Sequence, residues 1–64
     1  MTRDNARARI RDALRVGPGT AAQLADRARL SRPTAYEALR QLRELGETES
    51  WKRPGTRARI WRAS

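Results

Sequence analysis

The sequence has no cysteine and no histidine. Disulfides, thiolate chemistry and cysteine metal sites are therefore excluded, and a zinc site would have to be built from carboxylates alone. No apolar run approaches the ~20 residues of a membrane span. Arg3, Arg7, Arg9 and Arg11 interrupt any apolar signal-peptide core near the start. A soluble, cytoplasmic protein is expected. A glycine-rich phosphate loop is also missing, and no carboxylate pair sits in an apolar frame. Asp4, Asp12, Asp26, Glu37, Glu44, Glu47 and Glu49 read as surface charges or caps. The expectation is no enzyme, cofactor, metal site or small-molecule ligand.

What is present is positive charge. The 64 residues carry 15 Lys+Arg against 7 Asp+Glu, a formal charge of +8. Such an excess favours a polyanion partner through steering and counterion release. Lys52 is the sole lysine. A GC-rich genome produces that preference for arginine without selection for function, so only the net charge carries weight. The length allows one domain, which buries roughly 60% of the surface its unfolded chain exposes and is marginally stable for that reason.

The chain divides by its punctuation. Thr2 or Asp4 can cap a first helix over about 4–16, with Ala6, Ile10, Ala13 or Leu14, and Gly17 at helical spacing. Gly17-Pro18-Gly19 stops it, with Gly17 suited to a left-handed C′ position. Thr20-Ala21-Ala22-Gln23 is a capping-box pattern opening a second helix over about 20–28, along which Ala21, Leu24, Ala25 and Ala28 form a small-residue stripe. Ser31 is an N-cap candidate for a third helix over about 31–45, with Pro33 tolerated in its first turn. Ala35, Ala38, Leu39, Leu42 and Leu45 give the strongest helical periodicity in the chain, and Gly46 ends it. The remainder, about 47–62, alternates as two strands around an Arg53-Pro54-Gly55-Thr56 turn. Pairing them around Pro54-Gly55 puts Trp51 opposite Ala58, with Ile60 on the same face. The expected fold is mainly α with a small β-hairpin. Its core is Ile10, Leu14, Leu24, Ala25, Leu30, Ala35, Leu39, Leu42 and Leu45, closed on one side by Trp51 and Ile60.

Thr20-Ala-Ala-Gln-Leu24-Ala25, Leu30-Ser31-Arg32-Pro33-Thr34-Ala35-Tyr36, Leu39-Arg40-Gln41-Leu42 and Leu45-Gly46 together resemble the winged helix-turn-helix family of bacterial and phage transcription regulators. The resemblance extends over nearly the whole chain once the basic hairpin is included. It implies a three-helix domain that binds double-stranded DNA through its third helix and its wing. Arg29 stands where many such motifs place glycine at a left-handed turn, a departure costing about 1 kcal/mol if that conformation is kept.

On this reading the third helix leaves Arg32, Pro33, Thr34, Tyr36, Glu37, Arg40 and Gln41 facing outward. Arg40 can contact guanine bidentately, Glu37 can accept from cytosine, and Thr34 can touch a base or a thymine methyl. Arg32 and the Ser31 hydroxyl suit phosphate, as does Thr20 at a helix N-terminus. Arg53, Thr56 and Arg57 at the wing tip suit the backbone or the adjacent minor groove. Plainer roles stand beside these. Ser31 and Thr20 serve equally as caps, Tyr36 as packing on the core edge, and Glu37 as an ion-pair partner of Arg40 or Arg43. Trp51 and Trp61 fit core and rim packing better than base stacking. A protein-interaction adaptor and an excisionase-like architectural DNA binder use similar folds, and homodimerisation stays open.

Overall fold

The computed structural model describes residues 3–55 and 58–64, with side chains from residue 5 onward. In chain order the elements are α1 (Arg3–Val16), β1 (Gly19–Thr20), α2 (Ala21–Ala28), α3 (Arg32–Glu44), β2 (Thr48–Lys52) and β3 (Arg59–Ala63). The helix boundaries fall within a residue or so of the sequence expectation. Because α1 starts at Arg3, Asp4 lies inside its first turn and is not its N-cap. Thr2 lies outside the described residues.

The helix ends are set by local chemistry. Thr20 caps α2 with a full capping box: its hydroxyl accepts from the Gln23 N–H at 3.2 Å, and the Gln23 side-chain oxygen accepts from the Thr20 N–H at 3.0 Å. Two return bonds close α2, Leu30 N–H to Ala25 O at 2.9 Å and Arg29 N–H to Asp26 O at 3.2 Å. This is a Schellman arrangement. Arg29 sits at its left-handed position, with φ 56° and ψ 46°. The same arrangement ends α3, through Glu47 N–H to Leu42 O at 2.9 Å and Gly46 N–H to Arg43 O at 3.0 Å, with Gly46 at φ 76°. The end of α1 differs. Gly17 has φ 155°, outside the compact left-handed well expected of a C′ residue. The carbonyls there are held instead by Arg27 of α2, which donates to Gly17 O at 2.9 Å and Ala13 O at 3.5 Å.

The three helices share one apolar centre in which Ile10, Leu24, Leu39 and Leu42 are wholly buried. Alanines at 6, 13, 21, 25, 28, 35 and 38 complete it and let the helix axes approach closely. Leu30 packs against this core from a half-buried position. Leu45 does not join it and is 58% exposed. It follows the last turn of α3 as the C-cap residue, where the chain already bends toward the wing.

The sheet has three strands, not two. β1 pairs antiparallel with β3, and β3 with β2, in the order β1-β3-β2. Thr20 lies opposite Ile60, so the residue that caps α2 also holds the wing. The hairpin register is shifted from the expected one, with Trp51 opposite Ile60 and Ser50 opposite Trp61. The connecting loop is correspondingly longer than a four-residue turn.

The facing of the wing is also the reverse of the expectation. Adjacent strand residues point to opposite faces, so Ile60 and Trp61 cannot both enter the core. The larger indole does, and Trp61 is 5% exposed. Trp51 and Ile60 therefore lie on the outer face. Trp51 is 42% exposed and is covered by the Arg62 guanidinium 5.4 Å from its ring centre. Arg62 also forms an ion pair with Glu49 at 2.8 Å. On the inner side Thr48 is buried, and its hydroxyl donates to the Arg62 carbonyl.

Candidate nucleic-acid interface

α3 owes its place to its apolar stripe. Ala35, Ala38, Leu39 and Leu42 are buried, which turns the opposite side of the helix outward. Ser31 has the extended backbone of an N-cap, yet its hydroxyl makes no capping bond. It donates instead to the Thr34 hydroxyl at 2.8 Å, so two of the expected contact groups hold each other.

Pro33, Tyr36, Glu37, Arg40 and Arg43 recur at i, i+3, i+4, i+7 and i+10 and form one wall of a groove of about 580 Å³. Arg59 and Trp61 of β3 form the other wall. Tyr36 is 56% exposed, so its ring is presented outward and not packed on the core edge. Glu37 has no ion pair with Arg40 or Arg43 among the described residues; its carboxylate accepts from the Gln41 amide at 3.5 Å. Arg32, Arg40 and Arg43 are exposed and have no hydrogen-bond or ion-pair partner among the described residues. Three guanidinium groups are thus available on one helix.

The other expected contact residues are more dispersed. Thr20 is half-buried and committed to its cap. Arg53 is exposed at the start of the wing loop, where its N–H donates to the Ala58 carbonyl at 3.4 Å. Thr56 and Arg57 lie outside the described residues. The groove includes three residues not expected as contacts from sequence, namely Arg43, Arg59 and Trp61. Arg43 extends the row of Tyr36 and Arg40 by one further turn and was legible on that basis. Arg59 and Trp61 are two apart on one strand, and their facing depended on which side of the hairpin the core would take.

Among the described residues, no group of three or more Asp or Glu is placed to hold a metal ion, and no helix is long and apolar enough to cross a membrane.

Three helices with a helix-turn-helix at α2–α3, followed by a β-hairpin, define a winged helix-turn-helix domain. The profile of the arsR family of bacterial regulatory proteins matches residues 4–46, well over half of the sequence. The chain belongs to that family, whose members and fold are those of DNA-binding transcriptional regulators.

Solved structures share this fold. The transcriptional regulator PA4135 superposes with a TM-score of 0.85 at 26% identity, covering 100% of this chain and 47% of its own. The Zalpha domain of Carassius auratus PKZ, solved in complex with Z-DNA, gives a TM-score of 0.83 at 19% identity and covers 97% of both chains. A mutant of Lactococcus lactis ZitR gives 0.77 at 20% identity, over 100% of this chain and 43% of its own. The chain therefore spans about half the length of the two regulators. No curated protein matches its sequence.

Proposed function

We propose that this domain binds double-stranded DNA sequence-specifically as the reading head of a transcriptional regulator. α3 lies in the major groove, and the basic wing follows the backbone or enters the minor groove. The carrying observation is the division of α3 into a fully buried apolar side and an outward side bearing Arg32, Arg40 and Arg43, which have no partner among the described residues. A helix of this diameter fits the major groove, where arginine can contact guanine bidentately. Glu37 and Gln41 supply acceptor and amide groups on the same helix, and Thr20, Ser31, Arg32 and Arg53 are the residues assigned to phosphate on this reading. Selection of bound sequences from a random duplex pool tests the reading. An enriched motif of a few defined base pairs is expected, and its spacing and symmetry reveal whether one copy or two bind. No enrichment, with equal affinity for all duplexes, would replace sequence reading by architectural binding.

A second reading rests on the size match to the Z-DNA-bound Zalpha domain, where nearly the whole of each chain is covered. On this reading the Tyr36–Trp61 groove recognises the shape of a left-handed duplex. Tighter binding to a CG repeat held in the left-handed form than to the same repeat in B-form would select it.

A further inference from the structure

Trp61 is more than a core filler. It is 5% exposed, and its indole nitrogen is buried with no hydrogen-bond partner. Buried donors without an acceptor are rare in folded proteins, and each needs an explanation. A phenylalanine or leucine would occupy the inner face of β3 without stranding a polar group.

The surroundings of the ring supply the explanation. Trp61 lines the groove beside α3 and also a second depression, of about 430 Å³, against Thr20, Ala21 and Ala22 at the start of α2. Tyr36 and Arg59 line both as well, so Trp61 belongs to the short set of residues that borders the two depressions together. Arg40, Arg43 and Arg59 surround the larger groove, against one carboxylate, Glu37. Arg40 and Arg43 have no partner among the described residues, while Arg59 is held only by the Ser50 hydroxyl at 3.1 Å. A cationic groove bordered by a residue that carries an unused neutral donor suits an anion with several acceptor oxygens, one for the indole and others for guanidinium groups.

We infer that this groove seats one backbone phosphate of a bound DNA duplex, and that the Trp61 N–H donates to a phosphate oxygen when Tyr36 and Arg59 swing aside. The inference rests on the duplex-binding reading. It assigns a contact to a residue whose sequence position marks it only as apolar packing. A neutral donor strengthens binding without releasing a counterion, which separates its signature from that of an arginine.

The test uses the intact chain, labelled with ¹⁵N, titrated with the duplex most enriched from the random pool. The two indole N–H resonances are assigned with Trp51→Phe. The Trp61 resonance is expected to shift strongly as the duplex saturates, and that of Trp51 to move little. Trp61→Phe should weaken binding about ten- to a hundredfold on every duplex, the loss of one hydrogen bond to a charged acceptor, with no change in salt slope. A stationary Trp61 resonance at saturation overturns the inference, as does a folded Trp61→Phe variant that binds like wild type. Binding with a silent Trp61 leaves the duplex reading intact, whereas no binding to any duplex overturns both.

Discussion

Arg29 holds a backbone conformation that glycine adopts at no steric cost, with φ 56° between α2 and α3. The left-handed penalty for a residue with Cβ is about 1–2 kcal/mol, and glycine returns about 0.4–1 kcal/mol of it through the freedom of the unfolded chain. Arg29→Gly is therefore expected to stabilise the domain by about 0.5 kcal/mol, raising Tm by about 2–4 °C in thermal unfolding followed by circular dichroism. A lower Tm would mean that the Arg29 side chain contributes more than its backbone costs. Arg40 presents the complementary case, an exposed residue to which the proposed function gives a role in binding. Arg40→Ala should leave Tm within about 4 °C, since surface changes usually stay within about 0.5 kcal/mol. The same variant should lose about 1–3 kcal/mol at the preferred DNA site and little at unrelated sites. An equal loss everywhere, measured by fluorescence anisotropy, would make Arg40 a phosphate contact.

At the scale of elements, the junction between α3 and the wing is the most constrained. Gly46 is left-handed at φ 76° and donates to Arg43 O, and Glu47 continues the turn while pairing with Arg11 of α1 at 2.7 Å. The ion pair is half-exposed and contributes little by itself. Gly46→Ala should cost about 1–2 kcal/mol through the backbone, lowering the urea midpoint without altering the m-value. A changed m-value would show that the junction had rearranged. The helix-turn-helix was legible because its signals were local: Thr20 and Gln23 at capping-box spacing, the apolar stripe of α3, and Gly46 after it. The wing was less so. Gly19–Thr20 is too short for any periodicity, and both residues already read as a stop and a cap, which concealed β1. Ile60 and Trp61 are neighbours, so strand alternation allowed either to face inward, and only the volume beneath the helices decides. Leu45 fits the stripe by spacing, but the helix ends before its position can be used. The contact row of α3 followed from the stripe it opposes, whereas Arg59 and Trp61 entered the groove only once the wing's facing was fixed.

For the molecule as a whole, two properties pull against each other. A core built from five large aliphatic side chains, one tryptophan and many alanines leaves little reserve, since domains of this length are stabilised by only about 3–10 kcal/mol. Leu39→Ala, which opens a cavity at the centre, should cost about 2–5 kcal/mol and leave a chain with no cooperative thermal transition above room temperature. A clean transition within a few degrees of wild type would show that the helices collapse onto the void. The charge of +8, by contrast, is spread over the exterior and favours a polyanion. Five or six phosphate contacts would give a slope of log K against log salt of about −4.5 to −5.5, so a slope near zero would count against a duplex ligand. The two tryptophans occupy opposite faces of one sheet, one shielded and one open. Their emission therefore separates without any added label. Acrylamide should quench the red-shifted component of Trp51 and spare the blue component of Trp61, giving simultaneous optical readings of the wing's outer surface and of the protein interior.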